Sequence, residues 1–150
     1  VATRRPAPEK WSPIEIVGHL IDSASNNHQR FVRAQFREDL RFDGYAQDAW
    51  VSAQAYQAAS WPEVVSLWRS FNLHLAHVME RTPRAELERV RADHNLDQLA
   101  WEVVPGDEPT TLEYFMRDYV GHLKHHLQQI DPTLSDAPRR QRESSVLKTT

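Results

Sequence analysis

The sequence contains no cysteine in its 150 residues. That excludes a disulfide framework, a thiolate metal site and a cysteine nucleophile supplied by this chain, and it suits a reducing, cytoplasmic setting. Glycine is also scarce. Four residues leave little material for a phosphate-cradling loop, and neither a GxGxxG nor a Walker-type motif occurs. No apolar run approaches the roughly 20 residues a bilayer-crossing helix needs, so no membrane partner is expected. A basic excess is missing as well. The formal charge is −3 and the pI about 6.2, whereas nucleic-acid binders carry a clear positive balance. Only "RRQR", Arg139 to Arg142, departs from this, so no nucleic-acid partner is expected. No signal-peptide pattern opens the chain, and a start at Val1 rather than Met leaves room for residues upstream.

Histidine is abundant: there are eight, three of them in "GHLKHHL". The length suits one domain, which would bury roughly 70% of the surface its unfolded chain exposes. Residues 1–134 read as that domain. The segment 135–150, "SDAPRRQRESSVLKTT", reads as a polar, disordered tail. Three long helices have legible starts. "SPIE" offers Ser12 as N-cap, Pro13 at the first helical position and Glu15 at the capping-box position, for a helix running to about Glu38. "SWPE" repeats the signal at Ser60, for a helix to Arg81 that Pro83 closes. "TTLE" starts the last one, with Thr110 capping, Glu113 at the box position and an end at Asp131. "DAWVSAQAYQAA" reads as a short helix, the second of four, and "AELERV" as a turn or two. Residues 92–109 read as a long loop with a short strand at Trp101–Val104. Long amphipathic helices with no strand-rich region point to an all-α, antiparallel four-helix bundle.

The histidines divide by helical geometry, which advances about 100° per residue. On the last helix Leu112, Phe115, Met116, Tyr119, Val120, Leu123, Leu127 and Ile130 form one apolar arc. His126 falls inside it, His122 at its edge, and His125 well outside. An i, i+4 pair such as His122/His126 puts two imidazoles on one face, as zinc-binding helices do. On the first helix a polar ribbon of His19, Ser23, Asn26, Asn27 and Arg30 runs beside an apolar arc of Ile16, Val17, Leu20, Ala24, Phe31 and Ala34. His19 sits at the border. Three neutral imidazoles match the ligand set of a metal site that keeps a coordination position open. They do not select the metal. His28 points away from this ribbon, His74 and His77 have no evident partner, and His94 lies in the long loop. Ordinary alternatives apply to each residue: partly buried structural histidines, an interhelical ion pair for Arg30, solvated carboxylates for Asp22 and Asp118, and simple core packing for Tyr119.

"WSPIEIVGHLIDSASNNHQRF", "FDGYAQDAW", "LWRSFNLHLAHVMERTP" and "EPTTLEYFMRDYVGHLKHHLQQI", taken in order, resemble the DinB/YfiT-like superfamily of metal-dependent enzymes over residues 11–131. The resemblance implies a four-helix bundle in up-down-down-up order, with a divalent metal, zinc or nickel, held by His19, His122 and His126. It also implies a class of activities in which a low-molecular-weight thiol is transferred to an electrophile. The expected partners are therefore a small-molecule thiol and a small electrophile. Ser23, Asn27 and Arg30 on the ribbon, together with Tyr119, are the candidate substrate-binding residues. Arg30 suits a carboxylate. Asp22 and Asp118 are candidates to orient the ligand imidazoles. Two rival functions stand beside the transferase: metal-assisted hydrolysis at the same site, and a non-enzymatic bundle for binding or homodimer formation, to which the five tryptophans are equally suited.

Overall fold

The computed structural model describes residues 1–134; the expected tail, 135–150, lies outside the described residues. Helix α1 spans Pro13–Ala34 and begins as its sequence dictates. Pro13 takes the first helical position, where a missing N–H costs nothing. The Glu15 carboxylate accepts from the Ser12 backbone N–H and hydroxyl, each at 2.9 Å. Arg5 also donates to Glu15 and holds its pKa down to about 2.

The far end of α1 departs from expectation. The helix stops at Ala34, short of Glu38. Its terminal carbonyls find partners from distant segments: Arg91 donates to the Ala34 carbonyl at 3.0 Å. The Gln35 amide bridges the Phe31 carbonyl and the Thr82 hydroxyl, both at 3.3 Å. With the orphan carbonyls satisfied from outside, another turn has nothing to add.

"DAWVSAQAYQAA" does not form one helix. Helix α2, Gln47–Gln54, ends at Ala55, which adopts the left-handed region at φ 49°, and a 3₁₀ turn follows at Tyr56–Ala58. The break turns the Tyr56 ring onto Gly18 of α1, and its hydroxyl donates to Asp22 at 2.7 Å. Helix α3 covers Trp61–Arg81, α4 Arg84–Glu88 and α5 Leu96–Leu99. Helix α6 covers Leu112–Ile130, and its cap is Thr111, whose side chain accepts from the Tyr114 N–H at 3.1 Å. Thr110, the expected cap, instead exchanges two backbone hydrogen bonds with Arg91. Glu113 is therefore one position early for a capping box, and it pairs with Arg117. No strand forms at Trp101–Val104. The Trp101 and Glu102 N–H groups go to the Asp118 carboxylate at 2.9 and 2.8 Å. The only β pairing among the described residues is two isolated bridges.

The helices assemble into a bundle around α1, in which fifteen of 22 residues are buried, against two of 21 in α3. Helix α6 runs antiparallel to α1: Phe31 meets Phe115 and Tyr119, while His19, about three turns earlier, meets His122 and His126. Helix α3 runs in the same sense as α1, since Val64 packs with Ile14 and Val17 at one end and Thr82 meets Gln35 at the other. Three long helices therefore carry the bundle, and the expected second member is only eight residues long. The up-down-down-up order expected for four members does not describe these three. The apolar core has two parts. One centres on Phe31, Leu75, Leu112 and Phe115, the other on Ile14, Val17, Tyr56 and Val64. Among the described residues no helix is long and apolar enough to cross a membrane.

Candidate metal centre

The ribbon on α1 is polar yet buried. His19, Ser23, Asn27 and Arg30 are all withdrawn from solvent, with His19 at 0% exposure. An ordinary amphipathic helix would give such a face to water. Here α6 and the segment around Trp101 face it.

Three imidazoles converge at this junction. His19 Nε2 lies 3.4 Å from His122 Nε2, and His126 Nε2 lies 3.0 Å from the same atom. One ring nitrogen from each falls within 4.8 Å of the others, which makes this a group that can hold a metal ion. The spacing can be checked against coordination geometry. Metal–nitrogen bonds of about 2.0–2.1 Å in a tetrahedral site place ligand nitrogens about 3.3–3.4 Å apart. The observed separations bracket that value. The His19 and His122 rings meet edge to face, as do His122 and His126, and their Nε2 atoms are what approach one another.

The electrostatics suit ligation. Burial pushes the His19 pKa down to about 3, and the neighbouring His126 and His122 add to the shift. Burial likewise lowers His122 to about 4, assisted by His126 and His125, and lowers His126. All three rings are therefore neutral at pH 7, with lone pairs available. The Gln129 side-chain oxygen sits 2.9 Å from His126 Nδ1. An amide oxygen only accepts, so it holds the proton on Nδ1 and leaves Nε2 free for an ion. The Trp11 indole packs 4.8 Å from the His19 ring and 6.4 Å from His126, closing one side. His125 is exposed and stands outside the trio, as the helical geometry predicts.

The expected orienting carboxylates act elsewhere. Asp118 spends its oxygens on the Trp101 and Glu102 N–H groups, tying the loop to α6. Asp22 accepts from the Tyr56 hydroxyl and the Gln54 amide, both at 2.7 Å, and burial raises its pKa. His19 Nδ1 is buried with no hydrogen-bond partner.

Beside the imidazoles opens a cavity of about 350 Å³, lined by Ser23, Asn27, Arg30, Tyr45, Gln98 and Tyr119 among others. All four candidate substrate-binding residues thus reach one space together with His122 and His126. They differ in availability. The Tyr119 hydroxyl lies 2.5 Å from Asn72 Oδ1 and is engaged there, so the tyrosine offers the cavity mainly its ring. Asn27 donates to the Ser23 carbonyl at 2.9 Å and accepts from Arg30. Tyr45, which sequence reasoning did not single out, is pushed up to about 12 by burial.

The remaining histidines fall outside the centre. His94 is buried and staples its own loop, with Nε2 2.6 Å from the Glu108 carbonyl and Nδ1 accepting from the Leu96 N–H. His74 gains the partner that the sequence did not reveal: His28 on α1, with ring centroids 5.1 Å apart.

A helical bundle with three neutral imidazoles, one buried and two half-buried, beside a polar cavity defines the class: a bundle protein with a three-histidine centre able to bind a metal ion. The chain belongs to the DinB superfamily, whose family model matches residues 1–130. Neither a curated protein nor a solved structure matches it.

Proposed function

We propose that this chain is a metal-dependent transferase that activates a low-molecular-weight thiol for attack on a small electrophile. The observation that carries this reading is the convergence of three neutral imidazole nitrogens at coordination spacing, two of them from histidines that line an open cavity. His19, His122 and His126 would hold a divalent ion, zinc or nickel as the family resemblance implies. When bound, a divalent ion stabilises a thiolate, the reactive form of sulfur, at neutral pH.

The chain's own residues do the rest. Depressed pKa values keep the three rings from protonating and releasing the ion at neutral pH. Gln129 holds the His126 proton on the outward nitrogen. Ser23, Asn27 and Arg30 line the approach and bind the polar body of the thiol. With no cysteine in the chain, the transferred sulfur must come from the cosubstrate. The thiol gives its proton to solvent, sulfur forms a bond to the electrophilic carbon, and the leaving group departs with the bonding pair.

Hydrolysis at the same site is the weaker alternative. It calls for a free general base, and the one carboxylate among the described residues lining the cavity is Asp118, already tied to two backbone N–H groups.

Metal analysis of tag-free protein tests the centre, with a single ion per chain expected and its loss in His126→Ala. A thiol panel with 1-chloro-2,4-dinitrobenzene tests the reaction, and thiol consumption only by metal-loaded protein is expected. Unchanged metal content in the variant refutes the ligand set. Absence of thiol consumption refutes the transferase.

A further inference from the structure

Arg30 has an anomaly that the fold does not resolve. The residue is only 7% exposed, yet its hydrogen-bond partners are neutral. Nη1 donates to Asn27 Oδ1 at 3.3 Å and Nη2 to the Asp43 backbone carbonyl at 2.6 Å. None of the ion pairs among the described residues includes Arg30. The exposed Asp43 hydrogen-bonds through its carbonyl, and its carboxylate attracts Arg30 only from beyond ion-pair contact, less than the desolvation that lowers the Arg30 pKa. Arg91 shows the usual solution: it is equally deep, and it pairs with Glu86 at 3.2 Å. A buried cation without a counter-charge is costly, and a guanidinium has five N–H donors to satisfy. Arg30 faces the same cavity as His122 and His126. The one acid on that wall, Asp118, is committed to backbone N–H groups.

We infer that Arg30 is the anion receptor of this cavity, and that its ligand carries a carboxylate about 7 Å from the atom that meets the three imidazoles. This rests on reading those imidazoles as a metal centre.

The length follows from helix geometry. Arg30 reaches back to Asn27, so its guanidinium lies near the level of Asn27 on α1. Asn27 is eight residues beyond His19, an axial offset of about 12 Å. Both side chains tilt toward the helix N-terminus, so the offset survives at their tips. A metal–sulfur bond takes about 2.3 Å of it and a charge-assisted N–H···O contact about 2.8 Å. The remaining span of about 7 Å matches an extended thiol acid of four or five carbons, at about 1.3 Å of advance per bond. It is too long for mercaptoacetate. The substrate class is therefore an anionic thiol with its carboxylate remote from sulfur.

The test uses cobalt-loaded protein, in which thiolate-to-metal charge transfer reports binding. Titrations with 5-mercaptopentanoate, 5-mercaptopentan-1-ol and mercaptoacetate give three affinities. The long acid should bind ~10-fold or more tightly than either of the others. In Arg30→Met the advantage of the acid over the alcohol should vanish while the alcohol binds as before. Arg30→Lys, which keeps the charge, should retain part of the advantage and guards against a folding defect in the methionine variant. Equal affinity for long acid and alcohol in the wild type, or an undiminished gap in Arg30→Met, overturns the receptor. If no thiol gives a charge-transfer band, the thiol reading fails, and a second arm still decides Arg30. Pentanoate, but not pentan-1-ol, should raise the melting temperature of chelator-treated wild type and leave Arg30→Met unmoved. Equal response of both proteins overturns the inference.

Discussion

Gly18 immediately precedes His19, and the fold leaves no room for a side chain there. A Cβ at Gly18 would penetrate the Tyr56 ring, with Cε2 at 2.5 Å and two ring atoms closer still. Gly18→Ala therefore forces Tyr56 out of its seat. Overpacking of this kind costs about 1–3 kcal/mol. Displacing Tyr56 also breaks the 2.7 Å hydrogen bond from its hydroxyl to the buried Asp22, a loss of about 1.5–3 kcal/mol for a bond to a charged acceptor. Against this, alanine gains about 1 kcal/mol of helix propensity over glycine. The balance is a destabilisation of about 2–4 kcal/mol, or about 5–15 °C in melting temperature for a chain of this size. Gly121→Ala on α6 provides the control. Its nearest neighbours are Trp101 ring atoms at 3.1 and 3.4 Å, on an exposed indole that can shift. There the propensity gain should dominate, leaving stability unchanged or up to about 1 kcal/mol higher. Urea denaturation of both variants measures the difference. Tyr56→Ala added to Gly18→Ala should restore part of the loss, so the two changes together cost about 1–3 kcal/mol less than their sum. A Gly18→Ala protein as stable as the wild type, or strict additivity with Tyr56→Ala, would refute the close approach of these two segments.

Gln129→Leu removes the acceptor that fixes the His126 tautomer and should weaken metal affinity about 10–100-fold by competition titration, with the helical circular dichroism unchanged. Metal-free protein should lose stability as the pH falls from 7 to 5. The native pKa of His122 is depressed to about 4, so in that window the unfolded chain takes up a proton that the native ring refuses. By pH 5 this one residue accounts for about 2 kcal/mol. Chelator-treated His122→Leu should accordingly show a shallower pH dependence in urea titrations, and an identical slope would contradict a half-buried ring held neutral. Asp118→Ala strands the Trp101 and Glu102 N–H groups and should cost about 1–3 kcal/mol, with faster amide exchange confined to that loop.

Much of the bundle was legible in the sequence because helices are local objects. Ser12, Pro13 and Glu15 act within one turn, so the start of α1 was readable. The α3 start at Ser60 and the α6 arc were readable for the same reason. Placing His122 and His126 inward and His125 outward needed only the helical period. Gln129 carried an available signal, since a residue three positions after His126 shares its face. What the sequence concealed depends on distant partners. The end of α1 is set by Arg91 and Thr82, which lie more than forty residues away. Thr110 and Thr111 are chemically equivalent caps, and the bridge to Arg91 decides between them. The carboxylates of Asp22 and Asp118 sat near ligand histidines in sequence, yet both turn to backbone or side-chain donors from other segments.

By itself the sequence determined an all-helical chain with histidines at positions 19, 122 and 126 on inward faces, because side-chain periodicity and capping chemistry are written within a few residues. Only the tertiary structure decided that those three ring nitrogens share a point, that the polar ribbon of α1 is buried, and that Arg30 lies beside it on the cavity wall without an ion-pair partner in contact. Those facts depend on the crossing of helices separated by about a hundred residues of chain. A helix dictates which side a residue faces, and packing decides what it meets there.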